Sequence, residues 1–135
     1  TEVERRDISL LKFEDYLDCI PNWYTPLVIA GEDTIADDPA LVRTFLDVTA
    51  RGYQLAIDDP QRAADLFLDA VPETDEALIR AAAEYYATRF TSGGEPWGAQ
   101  TRTTWADFEE FLVDAGLLGQ AVEVDQAFTN DLLPR

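Results

Sequence analysis

Histidine and methionine are absent from these 135 residues, lysine occurs once (Lys12), cysteine once (Cys19) and serine twice (Ser9 and Ser92). Each shortage removes a class of chemistry. Without histidine the chain cannot build a Ser-His or Cys-His nucleophile system or a histidine-ligated metal site. One cysteine forms no internal disulfide and no cysteine-based metal site, and its plain reading is a small buried thiol. Ser92 lies in "SGGEPWG", which lacks the Gly-Lys-Ser/Thr ending of a phosphate-cradling loop. No loop carries the alternating Asp/Asn pattern around a central glycine that calcium requires. No apolar run reaches 18 residues and no basic-then-apolar leader opens the chain, so neither a membrane span nor a signal peptide is read from it. A chain with no methionine even at position 1 reads as a processed product, an excised domain or a fragment of a longer protein.

Acidic residues are plentiful. There are 27 Asp and Glu against 10 Lys and Arg, a net charge of −17. Nucleic acid is excluded as a partner, because phosphate binding needs clustered cations to displace counterions. The acids run from Glu2 to Asp131 without a long block, which favours a dispersed carboxylate surface suited to high salt over a patch for a cationic partner. Asp-rich, Lys-poor chains of this kind resemble proteins of salt-loving archaea. The neighbouring pairs Glu32/Asp33 and Glu109/Glu110 read as solvated surface rather than as general acid/base pairs. With 47% apolar residues and 15 aromatic ones, the chain can fill one domain's core.

Two apolar runs, Asp7 to Phe13 and Tyr24 to Ala30, read as short strands, the second at an edge because Pro26 removes a ladder donor. From Asp38 onward the pattern is helical. Asp38 followed by Pro39 marks an N-cap and a first helical position, and Asp59 followed by Pro60 repeats the device. The first of these helices carries a stripe of Leu41, Phe45, Val48, Gly52 and Leu55, widened by Val42, Leu46 and Tyr53. Arg43, Asp47, Arg51, Gln54 and Asp58 lie opposite, which predicts one solvated face. Pro72 closes the second helix, Thr74 caps a third that ends near Arg89, and Thr104 with Asp107 opens a fourth that stops at Gly116. The two "DDP" starts are independent caps and not a repeat. The fold class expected is α/β and helix-rich, with two short strands followed by about four helices.

The aromatic residues are the remaining candidates for function. Trp23 and Tyr24 follow Pro21-Asn22, and Trp97 sits in a glycine-flanked loop. Flat rings beside amide groups suit stacking on a planar ligand and reading of its edge. Packing where loop meets sheet is the simpler account of Trp23 and Tyr24, and core packing that of Trp97 and Trp105.

The order of pieces, "PNWYTP", "DDPALVRTFLDVTARGYQLAIDDPQRAADLFL", a long alanine-rich helix, "PWGAQTRTTWADFEEFLVDAGLL" and a closing "AFTNDLLP", resembles the C-terminal part of the solute-binding proteins of ABC importers that carry thiamine pyrimidine precursors. The likeness covers essentially the whole chain. It implies part of a two-lobed, type II periplasmic-binding-protein fold that closes on its ligand by a hinge. Residues 1–23 would end the second lobe and cross back, and residues 24–135 would form the C-terminal part of the first. An N-terminal half, absent here, would hold much of the cleft. The resemblance places Asn22, Trp23 and Tyr24 as ligand contacts. It makes Phe128, Leu132 and Leu133 plugs in apolar grooves, with Thr129 and Asn130 satisfying backbone groups. It further implies binding without catalysis, no cofactor, a small pyrimidine ligand and an ABC permease partner. The location would be the extracellular or periplasmic face of the membrane, by a lipoprotein anchor. Two other readings stay open: a free-standing acidic helical interaction domain without a small ligand, and a pyrimidine-precursor synthase of the same fold. The second is built around histidine, which this chain lacks.

Overall fold

Asp38 begins the longest helix as its sequence predicts. In the computed structural model, which describes residues 9, 11–91 and 96–134, the Asp38 carboxylate accepts the Leu41 N–H at 3.0 Å and Pro39 occupies the first turn. The chain forms α1 (Glu32–Asp37), α2 (Pro39–Asp58), α3 (Pro60–Ala70), α4 (Glu76–Ala87) and α5 (Arg102–Asp114), with single 3-10 turns at Phe13–Asp15 and Val124–Gln126. It divides into two compact units, one of Val28–Ala99 with Thr129–Arg135, the other of Thr1–Leu27 with Gln100–Phe128.

In the first unit, α2 packs on α1, α3 and α4, and α3 packs on α4. The Asp59 carboxylate caps α3 through the Arg62 N–H at 2.9 Å. The helix ends at Ala70, two residues before Pro72, which lacks the N–H to continue it. The next cap differs from expectation. Asp75, not Thr74, receives the Leu78 N–H at 2.8 Å, because the Thr74 hydroxyl is already donating to the Val71 carbonyl at 2.7 Å. Arg80 ties α4 to α3, contacting Asp65 and Glu76 at 2.9 Å each and Gln61 at 3.2 Å. The Glu76 hydrogen bond, then that to Asp65, raises the Arg80 pKa and holds its charge. Beyond α4, Arg89 lies over the Tyr85 ring at 3.8 Å and donates to the Tyr85 carbonyl at 2.8 Å, satisfying a group at the helix's negative end. Tyr53 of α2 meets Phe90 edge-on at 4.9 Å and Trp97 at 5.1 Å, so Trp97 packs against rings of its own unit.

The C-terminal segment is anchored in this unit. Leu132 is buried, Arg43 donates to the Asp131 carbonyl at 2.7 Å, and the Thr129 hydroxyl accepts the Asp131 N–H at 3.1 Å. Gly98 has φ +80°, and a Cβ there would stand 3.0 Å from the Leu133 side chain. Glycine suits that left-handed conformation, and the Leu133 side chain would have to shift to admit a Cβ.

The face that α2 buries is not the one its stripe predicts. Leu46 is buried, while Leu41, Phe45 and Val48 are 58%, 56% and 55% exposed. Positions 42, 46, 49, 50 and 53 lie about 100° round the helix from 41, 45, 48 and 52. The helix therefore has two adjacent apolar faces, and the interior of this unit takes the one that the pattern treats as the margin.

Neither expected strand forms among the described residues. Within Asp7–Phe13, residues 7, 8 and 10 lie outside the described set, Leu11 and Lys12 are irregular, and Phe13 begins a 3-10 turn. Tyr24 to Ala30 is irregular, with a cis bond between Thr25 and Pro26. A strand exists by its ladder, and this run enters no β-ladder among the described residues. The architecture observed is thus helical, where an α/β one was expected.

The second unit centres on α5. Its N-cap is Thr101, three residues before the expected Thr104, and the two hydroxyls lie 3.0 Å apart. At the far end, the Gly116 N–H donates to the Val113 carbonyl at 3.0 Å and the Leu117 N–H to the Leu112 carbonyl at 2.9 Å. With Gly116 at φ +68°, this is a Schellman close. Val124 in the last 3-10 turn is buried, and Arg102 pairs with Asp125 at 2.9 Å. Cys19 is exposed rather than buried, since it sits in the turn held by its own N–H on the Tyr16 carbonyl. Among the described residues no helix is long and apolar enough to cross a membrane.

Candidate functional site

Within the α5 unit, Trp23, Tyr24 and Leu27 come from the irregular segment and Thr104, Trp105 and Phe108 from one face of α5. Together they line an apolar groove of about 70 Å³. The helical spacing of 104, 105 and 108 puts those three on one side of α5. Trp23 stacks on Phe108 at 5.7 Å and 19°, with Phe13 tilted against it at 5.8 Å. Tyr24 leans on Trp105 at 6.2 Å, and Trp105 in turn lies nearly parallel to Phe128 at 5.9 Å. The rings form two short stacks side by side.

Polar contacts fix these rings in place. The Tyr24 hydroxyl accepts the Thr101 N–H at 2.8 Å and lies 3.4 Å from the Thr101 hydroxyl, joining positions 77 residues apart. The Trp105 indole N–H donates to Gln100 at 2.7 Å. The Asn22 side-chain oxygen accepts the Trp23 N–H at 3.1 Å, which sets the backbone entering the groove. With the indole N–H of Trp105 engaged, that residue would offer a ligand its ring surface.

Of the three residues expected to touch ligand, Trp23 and Tyr24 share the groove, while Asn22 is exposed and does not line it. Leu27, Thr104 and Phe108 were not singled out by sequence as site residues. Phe108 follows Trp105 by three positions on α5, a spacing that reads equally as core, whereas Leu27 of the irregular segment and the polar Thr104 carried no signal. Trp97 belongs to the other unit and takes no part. Ligand pockets are usually several hundred Å³. A groove of this size supplies one wall for a flat ring, not an enclosure. Among the described residues no group of three or more acidic or sulfur ligands is placed to hold a metal ion.

Residues 1–63 match the protein family described as NMT1/THI5 like. Over 114 residues the chain is 31% identical to the riboflavin-binding protein RibY of Chloroflexus aurantiacus, an alignment covering 79% of this chain and 32% of that protein. The chain spans about a third of the length of the curated relative it matches.

Proposed function

We propose that this chain is part of a solute-binding protein that captures a small planar nitrogen heterocycle for import across a membrane. The thiamine pyrimidine precursors and the flavins are the two candidate ligand groups. They share a pyrimidine edge on a flat ring, and the proposal rests on that shared chemistry. The single observation that carries it is the ring-lined groove of Trp23, Tyr24 and Trp105, held by neighbouring rings and hydrogen bonds before any ligand arrives. The match of residues 1–63 to the NMT1/THI5-like family and the likeness to a riboflavin-binding protein support this reading.

In this account the ring stacks on the groove's aromatic wall, and polar groups contributed by the rest of a two-lobed protein read its nitrogens. The lobes close by a hinge, and an ABC permease accepts the loaded form outside the cell membrane. No bond in the ligand changes. Synthase chemistry built around histidine would have to draw that residue from outside this stretch, which holds none.

A thermal-shift series on the complete gene product, with hydroxymethylpyrimidine, its formylated amino analogue, thiamine and riboflavin, tests the reading. Ligand at about 100 times its dissociation constant contributes about 2.7 kcal/mol to the folded state. A shift with the pyrimidines alone assigns the thiamine branch, and one with riboflavin alone assigns the flavin branch. Unchanged melting with all four removes the proposal.

A further inference from the structure

The groove of the α5 unit is a wall of rings and carbon, and its side-chain polar groups belong to Trp23, Tyr24, Thr104 and Trp105. The groups of Trp105 and Tyr24 are spent inside the protein. The Trp105 indole N–H donates to Gln100 at 2.7 Å, and the Tyr24 oxygen takes the Thr101 N–H at 2.8 Å. The other two are differently placed. No described residue accepts the Trp23 indole N–H, and since no side-chain nitrogen or oxygen among the described residues is buried without a partner, that group is open to solvent. The Thr104 side chain has one hydrogen-bond partner among the described residues, the Thr101 hydroxyl at 3.0 Å.

The direction of that bond follows from what Thr101 already does. A hydroxyl has one proton and two lone pairs. The Thr101 oxygen accepts the Thr104 N–H at 3.2 Å as the cap of α5, and its own proton has two oxygens in reach, Thr104 at 3.0 Å and Tyr24 at 3.4 Å. The nearer takes it, because the Tyr24 oxygen already holds the Thr101 N–H. Thr104 is therefore an acceptor within the protein, and its own proton is left to give. In α2, by contrast, the hydroxyls of Thr44 and Thr49 donate to the carbonyls four residues back at 2.8 Å each. Accepting one hydrogen bond also polarises a hydroxyl toward donating another.

Both unspent groups on the wall are thus donors. We infer that Thr104 is a specificity-determining residue of the groove: its hydroxyl donates to a carbonyl oxygen at the edge of a ring lying on the aromatic wall, so that the groove takes carbonyl-edged rings in preference to amino-edged ones. A pyrimidinedione offers carbonyl oxygens on either side of a ring N–H. An aminopyrimidine offers ring nitrogens but sets an amino donor beside them, and donor facing donor leaves both unpaired. This inference deepens the solute-binding reading and rests on it.

Titration calorimetry on the complete gene product with riboflavin, lumichrome and hydroxymethylpyrimidine provides the test, in the unaltered protein, Thr104→Val and Thr104→Ser. Riboflavin and lumichrome carry the same dione edge, so an effect common to both belongs to the ring and not to the ribityl chain. Valine keeps the side-chain shape without the proton and should weaken both dione ligands about three- to tenfold, the loss of one hydrogen bond. Serine keeps the proton and should hold their affinity within about twofold. Hydroxymethylpyrimidine should bind the unaltered protein most weakly of the three and should lose nothing in Thr104→Val. The ligand-free Tm should be nearly unchanged in both variants, since Thr101 can turn its proton to water. Unaltered dione affinity in Thr104→Val, or tightest binding of hydroxymethylpyrimidine, overturns the inference and leaves capture standing. So does an equal loss for all three ligands with a lowered Tm, which would make Thr104 a residue of the α5 first turn alone. If none of the three binds the unaltered protein, the solute-binding reading falls and this inference falls with it.

Discussion

Tyr24 and Trp23 show how much one side chain can do in this molecule. The Tyr24 hydroxyl is the acceptor for the Thr101 N–H, so the residue that lines the groove also secures the N-cap of α5. Tyr24→Phe should cost about 0.5–1 kcal/mol, the net worth of one partly exposed hydrogen bond, read as a lowered urea midpoint at unchanged slope. Trp23→Ala loses its contacts with Phe108 and Phe13 and should cost about 2–3 kcal/mol, less than a fully buried tryptophan because the ring is only half-buried. In the complete product the same variant should weaken ligand affinity about tenfold or more, as stacking energies of 1–3 kcal/mol imply. Lost stability with unaltered affinity would leave Trp23 a packing residue. At this scale the sequence announced the aromatic pair but not its partners. Thr101 lies 77 positions from Tyr24, and no local pattern links them.

At the scale of elements, the caps written as Asp-Pro were legible because the two residues act together: a carboxylate for the orphan N–H groups and a fixed φ for the first turn. Asp59→Ala should destabilise by about 1 kcal/mol, measured by chemical denaturation, and Asp59→Asn by much less. Thr74 and Thr104 misled because a hydroxyl near a helix start has several acceptors and donors in reach. In the structure the first donates backward to Val71 and the second sits inside the first turn that Thr101 caps. Gly116→Ala should cost about 1–2 kcal/mol through its left-handed backbone, seen as a lower Tm. The two strands and the exposed stripe of α2 were harder to read for one shared reason. Periodicity reports which residues are apolar, not what covers them, and the cover for Val28, Ile29, Leu41, Phe45 and Val48 is not among the described residues.

For the whole molecule, the balance between charge and core sets the behaviour. Among the described residues only Leu46, Ala64, Val124 and Leu132 are buried apolar residues, while leucines, phenylalanines and valines stand exposed. Exposed apolar patches of that kind mark interaction surfaces. The net charge of −17 works against compaction until ions screen it. Raising KCl from about 0.05 M to about 1 M shortens the screening length to about 3 Å. The Tm of the complete product should therefore rise, and a flat or falling Tm would remove the high-salt reading of the acidic surface. Composition showed this charge pattern plainly, whereas the groove emerged only when the segment from Trp23 to Leu27 was seen against α5. The most direct check of the central claim is the intrinsic tryptophan fluorescence of the complete product, titrated with riboflavin and with hydroxymethylpyrimidine. Saturable quenching by one of them, abolished by Trp23→Phe with Trp105→Phe and accompanied by a raised Tm, is the result expected. A linear, unsaturable response to both, with no change in Tm, would contradict it.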